Sequence, residues 1–112
     1  MISNIDPDFY SDSPKILSMR DGVAKALLDI GKQDEKVIVL TADLSSSVRT
    51  DLFEKEIGFP RFIDVGIAEQ NLVTVASGLA ASGLLPYVAA YSAFSPGRNW
   101  EQIRTTICLN NQ

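Results

Sequence analysis

The sequence predicts an α/β fold in which helices flank a doubly wound parallel sheet. Apolar residues recur at helical spacing in several segments. Between them lie short runs rich in β-branched residues, which are typical of strands buried on both faces. The two patterns alternate along 112 residues, of which 46% are hydrophobic. Such alternation indicates a parallel sheet with right-handed crossovers.

A polar tail is predicted over residues 1–14, overlapping a first helix that begins at Ser13-Pro14 and ends near Gly31. Serine is a good N-cap, proline fits the first helical position, and glycine often ends a helix. The apolar face of this helix comprises Ile16, Leu17, Val23, Ala24, Leu27 and Leu28. Residues 37–40 form the first predicted strand, and a polar loop follows over residues 41–47.

The second half of the chain repeats this pattern. A helix is predicted over residues 48–58, a strand over residues 61–65 and a strand over residues 86–91. Between these two strands lies a helix that begins near Ala68, with an apolar face of Ala68, Leu72, Val75, Ala76, Leu79 and Ala80. The last predicted helix is capped by Ser95-Pro96 and carries Trp100, Ile103, Ile107 and Cys108 on its buried side. We expect three strands with an uncovered edge, which make a thin core.

Composition excludes several classes of function. The net charge of −4 gives no electrostatic footprint for nucleic acid or an anionic membrane. The uncharged stretch after Glu69 is interrupted by Gly78, Gly83 and Pro86, so we expect a buried segment and not a membrane span. With one cysteine, no basic leader and no disulfide to form, a cytoplasmic location is expected.

Glu69 is the strongest candidate for chemistry. It immediately precedes a stretch, residues 70–97, that contains no Asp, Glu, Lys or Arg. A carboxylate at the border of a buried region is costly unless it is hydrogen-bonded or protonated. The simpler interpretation is a first-turn glutamate that stabilises the helix dipole, worth about 0.3–1 kcal/mol.

Three loops are expected at the carboxyl edge of the sheet, where open parallel sheets bind ligands. They cover residues 41–47, 66–69 and 92–98, and they contain two carboxylates, several hydroxyls, an aromatic ring and an arginine. The sequence has neither a phosphate-binding glycine motif nor a metal-ligand spacing. We therefore predict no metal site in this chain.

The run Asp64-Val65-Gly66-Ile67-Ala68-Glu69-Gln70-Asn71 resembles the pyrimidine-binding domain of transketolase-like, thiamine-diphosphate-dependent enzymes. The likeness includes the earlier Thr41-Ala42-Asp43-Leu44 loop, Phe94, and the later segment over residues 97–104. It is closest in character to the C-terminal half of split transketolases of archaea and bacteria. The resemblance implies a partial pyrimidine-binding domain over residues 15–112.

The resemblance also implies roles for individual residues. Glu69 would activate thiamine diphosphate through N1′ of its aminopyrimidine, and Phe94 would stack on that ring. Asp43 and Trp100 match positions near the cofactor. A looser match places Arg20 and Ser47 at the sugar phosphate of the substrate. The implied reaction is transfer of a two-carbon ketol unit between sugar phosphates.

Two departures from the family limit this expectation. A further strand and a glycine-rich loop of the family do not follow the last helix, so we expect a domain truncated at its carboxyl end. The motif that holds the diphosphate and its Mg²⁺ or Ca²⁺ is absent, so a diphosphate-binding partner subunit would supply both. We expect a homo- or hetero-oligomer, and an inactive chain when it is alone.

Alternatives to these assignments stay open. Deoxyxylulose-phosphate synthase or a 2-oxo acid dehydrogenase β subunit would use the same motifs, and a non-catalytic assembly or regulatory remnant would retain them. Asp43 is also consistent with a turn-capping acid, and Phe94 and Trp100 with packing aromatics. Arg20 is also consistent with a helix-surface residue, Ser47 with a helix N-cap, and Arg98 with an ion pair across an interface.

Overall fold

A computed structural model describes residues 6–112 and shows three parallel strands flanked by helices. After a short 3₁₀ turn at Pro7–Tyr10, the helices and strands alternate along the chain. The elements are α1 (Met19–Gln33), β1 (Val37–Thr41), α2 (Asp51–Glu56), β2 (Phe62–Asp64), α3 (Glu69–Ala81), β3 (Leu85–Ala89) and α4 (Trp100–Gln102), which continues as a π-helix over Ile103–Cys108. The predicted α/β class is confirmed.

β1 forms the centre of the sheet, whose strand order is β2-β1-β3. All five of its residues are buried, as predicted for a strand with helices on both faces. Alternate side chains of β1 enter two separate cores because successive residues of a strand point to opposite faces. One core contains Leu27, Val37, Val39, Phe53 and Phe62, and the other contains Ile38, Leu40, Ala42, Leu72 and Ala76.

The register of the sheet brings the carboxyl ends of its strands into one row. Thr41 of β1 is paired with Asp64 of β2 on one side and with Ala89 of β3 on the other. The Thr41 hydroxyl also donates to the Ala89 carbonyl at 3.1 Å. The loops that follow the three strands therefore leave the sheet at the same level, along one edge.

The predicted start of the first helix was wrong. The helix begins at Met19 and not at Ser13-Pro14, and the two apolar residues before it, Ile16 and Leu17, are exposed. Their exposure explains the difference, because a helical turn without tertiary packing is marginal in water. Val23, predicted to be on the buried face, is also exposed. Residues 1–5 of the predicted polar tail lie outside the described part of the chain.

The segment predicted as the last helix also differs from expectation. Residues 92–99 form successive turns instead of the first helical turns, and helical structure begins only at Trp100. In these turns the Asn99 amide donates to the Ser95 hydroxyl at 3.0 Å, so Ser95 interacts with a side chain rather than capping a helix. Cys108 is exposed, contrary to prediction, and it ends a π-helix in which no residue is fully buried.

The other elements match the prediction with small shifts of their ends. α2 covers six residues of the longer helix predicted over residues 48–58. α3 buries Leu72 and Ala76 as predicted, but it also buries Glu69, Val73 and Ser77. Within residues 6–112, no helix has the length and apolar character needed to cross a membrane.

Candidate functional site at the carboxyl edge of the sheet

Asp64 connects two of the loops that follow the strands. Its Oδ1 accepts the backbone N–H groups of Asp43 at 2.8 Å and Gly66 at 2.9 Å. Both loops need unusual backbone geometry, since φ is +58° at Asp43 and +72° at Gly66. These left-handed conformations suit aspartate and glycine better than most residues. One carboxylate thus fixes the turn before α3 relative to the loop after β1.

Glu69 is the first residue of α3, and its side chain is only 6% exposed. Its Oε1 accepts a hydrogen bond from Arg98 Nη1 at 2.9 Å. The helix N-terminus adds a favourable interaction with the negative charge. Asn99, which is fully buried, donates to the Glu69 backbone carbonyl at 3.2 Å and holds the start of the helix against the third loop. The buried carboxylate is therefore paired and its backbone is fixed.

Phe94 lies in the third loop, half-buried, beside the same arginine. The Arg98 guanidinium carbon is 4.0 Å from the centroid of the Phe94 ring, well within the range of a cation–π contact. Arg98 therefore contacts both Glu69 and Phe94. Its own side chain is 51% exposed, so the guanidinium lies at the solvent side of the pair.

A cavity of about 300 Å³ lies between the three loops. Its walls are Ala42, Asp43, Leu44, Ile67, Glu69, Phe94 and Arg98. A second recess of about 640 Å³ shares Ile67, Glu69 and Arg98 with the first and extends along the start of α3. The first cavity contains three of the predicted cofactor residues, which come from three different loops.

The remaining predicted site residues lie elsewhere. Arg20 and Ser47 meet each other, since Arg20 Nη1 donates to the Ser47 carbonyl at 3.0 Å. Neither is among the residues that line the cavity at Glu69. Ser47 is not the N-cap of α2, a position that Thr50 occupies. Trp100 is 64% exposed at the start of α4 and lines neither recess at Glu69.

Arg98 and Asn99 are members of this site for which no catalytic or cofactor-binding role was predicted. The sequence leaves Arg98 open to an ion pair across an interface, whereas it pairs with Glu69 of its own chain. One signal was available in the sequence. Glu69 immediately precedes the charge-free stretch and Arg98 immediately follows it. The two residues carry opposite charges, so they are natural partners for an ion pair that joins the two ends of the stretch. The role of Asn99 depends on a turn that the sequence did not reveal.

Comparisons with known proteins agree with this architecture. Residues 15–112 match the family described as the transketolase pyrimidine-binding domain. The chain belongs to that family. It is 44% identical, over 90 residues, to a protein of Methanocaldococcus jannaschii described as a transketolase C-terminal section. It is 37% identical, over 108 residues, to 1-deoxy-D-xylulose-5-phosphate synthase of Clostridium beijerinckii.

A solved structure described as a split gene transketolase, inactive beta4 tetramer, has the same fold as this pyrimidine-binding domain. The TM-score is 0.73 at 42% sequence identity, and the match covers 86% of this chain. The domain spans a minor part of each of these proteins. The matches cover 28% of the archaeal protein, 17% of the synthase and 32% of the solved chain.

Proposed function

We propose that this chain is the pyrimidine-binding part of a thiamine-diphosphate-dependent transketolase. It would transfer a two-carbon ketol unit between sugar phosphates, together with a diphosphate-binding partner. The observation that carries the proposal is the buried Glu69 carboxylate at the start of α3, which lines a cavity with Phe94. Membership of the family supports the choice of cofactor.

The residues around this cavity fit an aminopyrimidine. Phe94 offers a flat apolar surface, and Glu69 offers a carboxylate that can accept or hold a proton at a ring nitrogen. Asp43 adds a second carboxylate to the walls. When bound, thiamine diphosphate would supply an electron sink for the carbanion of the reaction. The contribution of Glu69 is then to hold a proton at its Oε atom, and that of Phe94 is to orient the ring.

The partner is proposed to hold the diphosphate and its metal ion. In the part of the chain that the structure describes, no group of three or more His, Cys, Asp and Glu side chains is placed to bind a metal ion. We propose Arg20 and Ser47, which are in contact, as residues that meet the substrate phosphate. Trp100, exposed on α4, would meet the cofactor region only at the interface with the partner.

A deoxyxylulose-phosphate synthase part is the second candidate. The specific observation in its favour is the match to the Clostridium beijerinckii synthase, which covers 96% of this chain. The two reactions share the cofactor and differ in the donor, which is a ketose phosphate for a transketolase and pyruvate for the synthase. Activity with each donor therefore distinguishes them.

The test combines this chain with a transketolase diphosphate-binding subunit, thiamine diphosphate and Mg²⁺. Ketol transfer from xylulose 5-phosphate to ribose 5-phosphate is measured beside condensation of pyruvate with glyceraldehyde 3-phosphate. Glu69→Gln is expected to lower the rate by a factor of about 10²–10⁴, the usual contribution of a positioned acid or base. Complex formation is followed by sedimentation in the same samples.

Glu101→Gln is the matched control for this experiment. Glu101 is an exposed glutamate on α4, and hydrogen bonds from Arg104 lower the pKa of its carboxyl group. Its replacement is expected to leave the rate unchanged. Equal activity of the Glu69→Gln and Glu101→Gln complexes would contradict the role of Glu69. A stable complex without activity on either donor pair would favour a non-catalytic assembly module.

A further inference from the structure

Arg98 makes the two contacts that the proposed cofactor ring needs. Its Nη1 donates to Glu69 Oε1 at 2.9 Å, and its guanidinium carbon is 4.0 Å from the Phe94 ring centroid. A guanidinium is planar, rich in nitrogen and an N–H donor, and it stacks well on aromatic faces. In these respects it resembles the aminopyrimidine ring that Glu69 and Phe94 would hold.

We propose that Arg98 occupies the pyrimidine seat of the cofactor-free chain and must leave it when the cofactor binds. The seat is defined here as the Glu69 carboxylate and the Phe94 ring face that Arg98 covers. This inference rests on the proposed function, because it concerns the same seat. An arginine on that ring face and on that carboxylate oxygen excludes a second planar group from both positions.

The burial of the two partners indicates which of them moves. The Glu69 side chain is 6% exposed, whereas that of Arg98 is 51% exposed. Glu69 is also fixed through its backbone carbonyl by the buried Asn99. Arg98 follows Gly97 in a loop of turns, and a rotation of its side chain carries the guanidinium into solvent. The arginine therefore leaves and the carboxylate stays in place.

The arrangement also has a benefit for the cofactor-free chain. A buried carboxylate without a partner is unfavourable, and Arg98 supplies that partner until a ligand takes its place. The cost is a weaker apparent affinity for the cofactor. When only a fraction of molecules has an open seat, the apparent dissociation constant rises in inverse proportion to that fraction.

The test measures thiamine binding to the purified chain by isothermal titration calorimetry. Arg98→Ala opens the seat, and it is expected to bind thiamine at least about fivefold more tightly than the natural sequence. Arg98→Lys retains the charge without the planar fork, so an intermediate gain is expected. Arg104→Ala is the control for charge, because thiamine is a cation and Arg104 pairs with Glu101 on the exposed side of α4.

A spectroscopic measurement reports the displacement directly. The Phe94 ring shields the nearby side-chain protons of Arg98, so their NMR signals are expected upfield of those of Arg104. Saturation with thiamine is expected to return them to ordinary values. A merely structural role of Arg98 would leave these signals where they are.

The outcomes separate this proposal from the proposed function. Tighter binding by Arg98→Ala, abolished by adding Glu69→Ala or Phe94→Ala, supports the proposal. Binding that depends on Glu69 and Phe94 but is unchanged or weakened in Arg98→Ala and Arg98→Lys would overturn it and leave the proposed function intact. If neither the natural sequence nor any Arg98 variant binds thiamine, the seat itself is wrong and this proposal fails, whereas the proposed function is tested separately by the rate of the complex with the diphosphate-binding subunit.

Discussion

Glu69 and Arg98 show how a pair of charges can define a site in an otherwise apolar region. The 28 residues between them contain no Asp, Glu, Lys or Arg, and the structure joins the two ends of that stretch by a 2.9 Å ion pair. Because Glu69 is nearly fully buried, this pair is screened less by solvent than the other ion pairs, which are more exposed. The Glu69 carboxylate is therefore both buried and paired with an opposite charge.

The resemblance to the pyrimidine-binding family pointed to Glu69, Phe94 and Asp43, and the structure places all three around one cavity. Asn99 could not be predicted as a member of the site, because its contacts depend on the turns over residues 92–99. The pairing of Arg98 with Glu69 was indicated only by their positions at the two ends of the charge-free stretch. Trp100 was grouped with the cofactor residues, yet it lies outside the cavity.

Asp64 is predicted to hold the first two loops of the site together. Asp64→Ala removes the acceptor of two backbone N–H groups, so we expect a loss of about 1–2 kcal/mol in stability. The more specific effect is faster hydrogen exchange at the Asp43 and Gly66 amides, measured by NMR. Asp64→Asn keeps an oxygen at Oδ1 and is expected to keep most of the protection. Unchanged exchange at both amides in Asp64→Ala would contradict this role.

The strand β1 and the helix α3 could be predicted from the sequence, whereas the ends of the helices could not. β1 is a short apolar run rich in β-branched residues, which is typical of a strand buried on both faces of a parallel sheet. The start of α1 was set too early because Ser13-Pro14 is a good local signal. Local capping did not compensate for the absence of packing at Ile16 and Leu17.

The contact between α1 and α2 depends on Gly31. A Cβ atom at this position would lie 2.4 Å from Phe53 Cε2 and 3.1 Å from Ile57 Cδ1. Phe53 is 1% exposed and cannot move aside without disturbing the core that it shares with β1. Gly31→Ala is therefore predicted to destabilise the fold by about 1–3 kcal/mol, which is the usual cost of overpacking.

Gly22→Ala is the matched control, since Gly22 lies in the same helix with no atom within 4 Å of an added Cβ. It is expected to stabilise the fold by about 0.5–1 kcal/mol through helix propensity. Urea denaturation of both variants measures the difference. If Gly31→Ala were as stable as Gly22→Ala, the close packing of α1 on Phe53 would be wrong.

The candidate site lies at the carboxyl ends of the three strands, and β3 is an outer strand of the sheet. Leu85, Tyr87 and Val88 of β3 are each more than a third exposed. Apolar surface of this kind is typical of a face that another chain or segment covers. The proposed dependence on a partner is in keeping with this exposure.

The fold could be predicted from the sequence because the alternation of helix and strand leaves few topologies. The cavity could be predicted only in outline. The register that pairs Thr41 with both Asp64 and Ala89, and so aligns the ends of the three strands, is a property of the assembled sheet. Without it, the three loops could be assigned to one edge but not to one cavity.

We expect these three loops together to bind an aminopyrimidine. The most direct test is an NMR titration of the isotope-labelled chain with thiamine, following every backbone amide. We predict shift changes concentrated at residues 42–44, 67–70 and 94–99, and their loss in Glu69→Ala. Shift changes confined to other surfaces, such as the apolar recess beside β3, or no change at millimolar thiamine, would show that the three loops do not form this binding site.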